Sequence, residues 1–142
     1  MVNIDYIFEL LDWNNNSEKQ NIGIQLANSV KCISVFLQPG WPYGKNVWDN
    51  CASILAKKSD KELKPYLIQL LEWLQDVNWP GSSCIAYRLQ NYADTQSFEM
   101  ALTICKNKAH VLNDEEWERN LNILEDKRKI AQGTVCVNPN EK

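Results

Sequence analysis

Apolar residues recur along most of this chain at steps of three and four, the spacing that gathers them on one face of an α-helix. Ile4, Ile7, Phe8 and Leu11 predict a first helix, which the polar run Asn14 to Lys19 ("NNNSEK") interrupts. Ile22, Leu26, Val30, Ile33 and Leu37 predict a second from about Lys19 to Leu37, ending before Pro39 and Gly40. A third follows from Val47, Cys51, Ile54 and Leu55. Ser59 to Glu62 has capping-box spacing, and Pro65 fits a short first turn followed by a fresh helix start with the proline near its first position. The strongest stripe comes next, at Leu67, Leu70, Leu71 and Leu74. Ile85, Leu89 and Tyr92 predict a fifth helix, Phe98, Leu102, Cys105 and Leu112 a sixth, and Trp117, Leu121 and Leu124 a seventh, opened by Asn113 with Glu116 three residues on. After Ile130 the pattern stops, and "AQGTVCVNPNEK" reads as a short extended piece or a loose tail. Few segments alternate as half-buried strands do. The expectation is therefore an all-α fold of about seven helices, with residues 1–132 one domain and 133–142 a C-terminal tail. Short loops favour antiparallel hairpins stacked in sequence order.

Two stretches break the helical pattern in the same way. "QPGWPYG" spans Gln38 to Gly44 and "DVNWPG" spans Asp76 to Gly81, and both Trp-Pro pairs recur at an offset of 38 residues. At that offset Ile33 falls on Leu71, Phe36 on Leu74, Val47 on Ile85 and Cys51 on Leu89, apolar on apolar either side of the turn. A helix-turn-helix unit recurring near this length is the mark of HEAT-like α-solenoids, in which each unit buries its face by stacking on the next. A plain helical bundle is the alternative. Proline suits such a turn because it fixes its own backbone angle and pushes the preceding residue out of the helical region. Each tryptophan is expected to plug the gap between paired helices.

Composition narrows the function more by exclusion than by motif. At 142 residues the chain can bury a core without metals or disulfides. Its 15 Lys+Arg against 18 Asp+Glu argue against a nucleic-acid binder and leave room for a basic protein partner. Asp5, Glu9 and Asp12 interrupt anything resembling a signal peptide, and no run is long enough for a membrane span, so a cytoplasmic protein without a membrane partner is expected. Cys32, Cys51, Cys84, Cys105 and Cys136 form no paired motif and read as small hydrophobes rather than disulfides or zinc ligands. His110, the only histidine, has no ligand-spaced neighbours and reads as a helix-end surface residue. No phosphate loop, nucleophile elbow or zincin motif is present, so no catalytic, cofactor or metal residue is expected.

Aromatic content is what remains. Six tryptophans stand in the chain, and Trp41, Tyr43 and Trp48 crowd the first Trp-Pro turn. Each could serve as core or as interface, where Trp and Tyr supply rigid contact area. Tyr43, between Gly40 and Gly44, is expected to be harder to bury than the tryptophans and is the first candidate for a partner contact, with Trp41 beside it. Asp49, Asp76, Asp94, Asp114, Glu115 and Glu116 are candidates for steering a basic partner; a solvated helix start is the plainer reading of such acids.

The stretch Val47 to Leu89, and above all "LLEWLQDVNWPG" at Leu70 to Gly81, resembles a family of small bacterial helical domains with HEAT-like repeats. "VFLQPGWPYGKNVWDNCA", Val35 to Ala52, resembles the version found beside secreted polymorphic toxins, and the likeness extends over about Ile22 to Trp117. The resemblance implies an immunity protein, without enzymatic activity, that binds a cognate toxin domain one to one, as in contact-dependent growth inhibition. It implies further that the toxin is a small basic nuclease, ribonucleases included, blocked at its active site or its access to substrate. The family's signature residues look structural, so the motif argues the class of function and not the contact residues. A HEAT-like adaptor without a toxin is the alternative. A nucleic-acid scaffold ranks last, because Lys106, Lys108, Lys127, Arg128 and Lys129 are diluted by Glu125 and Asp126.

Overall fold

The computed structural model describes residues 3–133 and is all-α, with no strand among them. Helices α1 (Ile4–Leu10) and α2 (Ser17–Ala27) form an opening pair, and α2 leans on α3 (Trp48–Ala56). After α3 come α4 (Asp60–Leu63) and α5 (Leu67–Glu72), then α6 (Ser82–Gln90), α7 (Thr95–Val111) and α8 (Glu115–Ala131). Helix α5 stacks on α7 in one layer, while α3, α6 and α8 stack in the other, and α7 pairs with α8 across the layers. This is the arrangement expected of hairpins stacked in order. All eight residues matched at the 38-residue offset, from Ile33 and Leu71 to Cys51 and Leu89, are in the core.

Local chemistry explains where the helices begin and break. Ser59 and Glu62 complete the capping box, each side chain accepting from the other's backbone N–H. Pro65 sits in the 3₁₀ turn Lys64–Tyr66 at the start of which its missing N–H costs nothing, and α5 follows. Side chains from α8 then bond to carbonyls at and just past the C-terminal ends of the preceding helices. Trp117 Nε1 donates to the Leu71 carbonyl at 3.1 Å, Asn120 Nδ2 to that of Leu74 at 2.8 Å, and buried Arg128 donates through Nη1 to those of Leu89 and Tyr92. Arg128 also lays its guanidinium over the Phe98 ring at 3.9 Å. These bonds tie the last helix to the C-terminal ends of α5 and α6 and the turns that follow them.

Several expectations need correction. The second helix does not reach Leu37: it ends at Ala27, three successive bonds of the i to i−3 type close the chain at Asn28, Ser29 and Val30, and Ile33–Phe36 is a 3₁₀ turn. Apolar residues three apart lie on one face of either helix type, so spacing alone could not separate them. Within α2 the inward face is Gly23 and Ala27, while Ile22 and Leu26 are exposed. A Cβ on Gly23 would stand 2.8 Å from that of Leu10, so the close approach of α1 to α2 requires glycine there. The last helix is capped by Asp114, which accepts from the Trp117 N–H; Asn113, at φ 54, instead ends α7 in the left-handed region. Leu112 stands exposed rather than in the core. The expected tail past Gly133, with Cys136, lies outside the described residues.

Candidate functional site

The first Trp-Pro turn is held from several sides. Tyr43 N–H donates to the Gly40 carbonyl at 3.0 Å, Trp48 Nε1 to that of Pro39 at 2.9 Å, and Trp13 N–H to that of Asn46 at 3.0 Å. Tyr43 stacks on Phe8 with ring centroids 4.3 Å apart, and its hydroxyl donates to the Asp5 carboxylate. That bond to an anion raises the Tyr43 pKa above its ordinary value. The structure thus reverses the expected ranking: Tyr43 is half-buried and works as a strut, because α1 supplies a ring and a carboxylate for it. Trp41, expected to plug the gap between helices, is 94% exposed. A turn fixed on this many sides offers its exposed indole with little left to order on binding.

The second turn is built as a joint. Trp79 is half-buried and meets Trp48 edge-on at 5.8 Å, and Trp48 meets buried Trp73 at 6.0 Å. Lys45 Nζ lies 5.8 Å from the ring centroids of both Trp48 and Trp79, so the two turns touch. Trp73 Nε1 donates to the Pro80 carbonyl at 2.9 Å.

The other proposed contact residues sort by position. Asp49 is exposed in the first turn of α3, just after the Trp41 turn. Asp76 accepts from the Asn78 N–H within the second turn, and Asp114 caps α8 with Glu115 and Glu116 exposed behind it. The Trp41 and Trp79 turns meet through Lys45, and Trp117 and Asn120 at the start of α8 bond to the Leu71 and Leu74 carbonyls just ahead of the Trp79 turn, so the three turns neighbour one another along one edge of the stack. Asp94 is elsewhere. It caps α7, between α6 and α7, at the opposite end of these helices, where Ser97 holds its carboxyl below the usual range and Lys64 stands 3.8 Å away. Asp5, Glu9 and Asp12 escaped the sequence reading as surface candidates, although they fall at helical spacing opposite the apolar face of α1. Asp5 reaches Tyr43, and the Asn14 N–H, then Asn46, hold the Asp12 carboxyl below its usual range.

Elsewhere the chemistry is quiet. Among the described residues no cluster of His, Cys, Asp or Glu is arranged to hold a metal ion. Burial drives the Cys51 thiol far up and pushes Cys105 up to about 11, which suits inert core residues. Cys32 is exposed, against expectation for a buried hydrophobe, and His110 is exposed in the last turn of α7 as expected. The basic residues do not gather: Lys106 pairs with Glu125 at 2.6 Å, Lys108 with Glu72 at 3.8 Å, and Arg128 is buried. No described helix is long and apolar enough to cross a membrane.

Residues 43–135 match a family described as a domain of unknown function, DUF5071; the match covers more than half of the chain, which therefore belongs to that family. No curated protein and no solved structure shows significant similarity to it.

Proposed function

We propose that this protein is an immunity-type inhibitor, which binds a cognate toxin domain one to one in the cytoplasm and blocks its active site or its access to substrate. The observation that carries the reading is the shared edge of the stack. There an exposed Trp41 shares the edge with the turns that carry Asp49, Asp76, Asp114, Glu115 and Glu116. An exposed tryptophan on a fixed turn suits a hot spot, and a row of carboxylates suits a partner whose own substrate is anionic, as a basic nuclease is. In this account Trp41 fills a pocket on the toxin and the acids pair with its Lys and Arg. Tyr43 positions the turn, and Asp94 lies outside the contact. Nanomolar affinity corresponds to about 12 kcal/mol, within reach of a standard-size interface with a few such anchors.

The experiment is co-expression with the toxin-like C-terminal fragment encoded immediately upstream, with one member tagged. A stoichiometric complex that rescues growth, weakened about tenfold by Trp41→Ala, supports the proposal. Separate elution, or the absence of such a fragment, overturns it in favour of an adaptor.

A further inference from the structure

A trough runs along the seam between α6 and α8, and nothing in the toxin reading depends on it. Its lower hollow, of about 310 Å³, is walled by Ala86, Tyr87 and Gln90 of α6 and by Ile123 and Lys127 of α8, with Val77 at its foot. A second hollow, of about 470 Å³, shares Gln90 and continues to Ala131 and Gln132 at the end of α8. Lys127 and Ala131 stand one turn apart on the same face of α8, so the two hollows follow one another along the seam. The two helices point the same way, since Gln90 and Ala131, the last residue of each, line the same hollow. Tyr87, Val77 and Ile123 are exposed by 70%, 51% and 46%. Among the described residues that line the trough, Lys127 alone is charged, so the walls suit an uncharged, apolar occupant.

The described chain ends where the trough begins. Gly133 closes α8 at φ 71, and its N–H donates to the Ile130 carbonyl at 3.1 Å, the bond of a left-handed helix ending that bends the chain off the axis and back over the last turn. Thr134 to Pro139 follow it in sequence and carry no charge. Val135 and Val137 alternate there with Thr134, Cys136 and Asn138, the spacing that gives an extended chain one apolar edge. Valine also favours extension over helix. Ala131 lies about 12 Å along α8 from Ile123. An extended chain covers that distance in about four residues, which brings Val137 level with Ile123 and Tyr87 and leaves Val135 beside the stem of Lys127. Tethered so close, the segment meets the trough at an effective concentration on the order of millimolar, so weak apolar contacts suffice.

We propose that residues 134–138 of this chain occupy the α6–α8 trough as an extended strap antiparallel to both helices, with Val135 and Val137 inward and Val137 covering Tyr87 and Ile123. The outward edge keeps water as the partner of its main-chain groups. The exposed apolar residues of the seam then need no outside partner.

The test is an NMR study of the full chain labelled at the Val and Ile methyl groups. Cross-peaks are expected from the Val137 methyls to the Tyr87 ring and the Ile123 methyls. Val137→Asp shifts the Ile123 methyl and Tyr87 ring signals, whereas Cys136→Asp, on the outward edge, leaves them in place. Absence of the cross-peaks, no shift with Val137→Asp, or equal shifts with the two variants overturns the proposal. So do cross-peaks found only between labelled and unlabelled molecules of a mixed sample, which would seat the segment on a second copy of the chain. No toxin is present in these samples, so the result leaves the immunity reading untouched, and separate elution in the co-expression experiment leaves this one untouched.

Discussion

The two Trp-Pro turns are written in nearly the same letters and have opposite fates. At the second, Trp79 meets Trp48 of the preceding unit and Gly81 lies against Ala52 of α3. At the first, the opening helix α1 lies beside the turn, and its Phe8 receives Tyr43 rather than Trp41. A tryptophan in a stacked array is core only if a neighbouring unit offers it a surface. Trp41, to which no such surface is offered among the described residues, stays exposed.

The comparison can be strained most severely at Gly81. Its φ is 85, and a Cβ there would come within 2.7 Å of the Ala52 Cβ and 2.9 Å of the Trp73 ring. Gly81→Ala combines a left-handed backbone penalty with overpacking, and urea unfolding is expected to show a loss of about 3 kcal/mol. The same substitution at Gly40, whose Cβ would meet nothing within 4 Å, is expected to leave the midpoint nearly unchanged. A smaller effect separates strut from contact at the first turn. Tyr43→Phe keeps the stack on Phe8 and removes the bond to Asp5, costing about 1 kcal/mol of stability.

Acid provides the smallest of these effects, at the opposite end of the helices. Burial alone would raise the Asp60 pKa, but the Ala93 N–H and Arg88 outweigh it and hold the carboxyl below its ordinary 3.8. A depressed folded pKa means stability that is present above the unfolded value and lost as pH falls through the folded one. The stability gap between the natural chain and Asp60→Asn is therefore expected to be full at neutral pH and to narrow below about pH 4 in a pH series of urea melts.

Much of this was legible in the sequence, for physical reasons that also mark where legibility ended. Leu67, Leu70, Leu71 and Leu74 repeat on one helical face and are all buried, and the Ser59–Glu62 box and Pro65 act locally, so chain order alone reveals them. Ile22 and Leu26 misled because the face that packs is the one with room for close approach, Gly23 and Ala27, and closeness depends on α1. The positions of Trp41 and Tyr43 were exchanged for the same reason, since what covers an aromatic lies some 35 residues away in α1, at Phe8. The edge of acids could be named residue by residue, but only the contacts between turns join Asp49, Asp76 and Asp114 and set Asp94 apart.

The most direct measurement is a pair of urea melts, Trp41→Ala beside Trp79→Ala. The account predicts that Trp79→Ala loses at least about 2 kcal/mol, because it empties the joint between Trp48 and the second turn, while Trp41→Ala stays within about 0.5 kcal/mol of the natural chain. Equal losses at the two positions would mean that Trp41 is covered in solution by its own chain, and would contradict the claim that the first turn is kept bare for a partner.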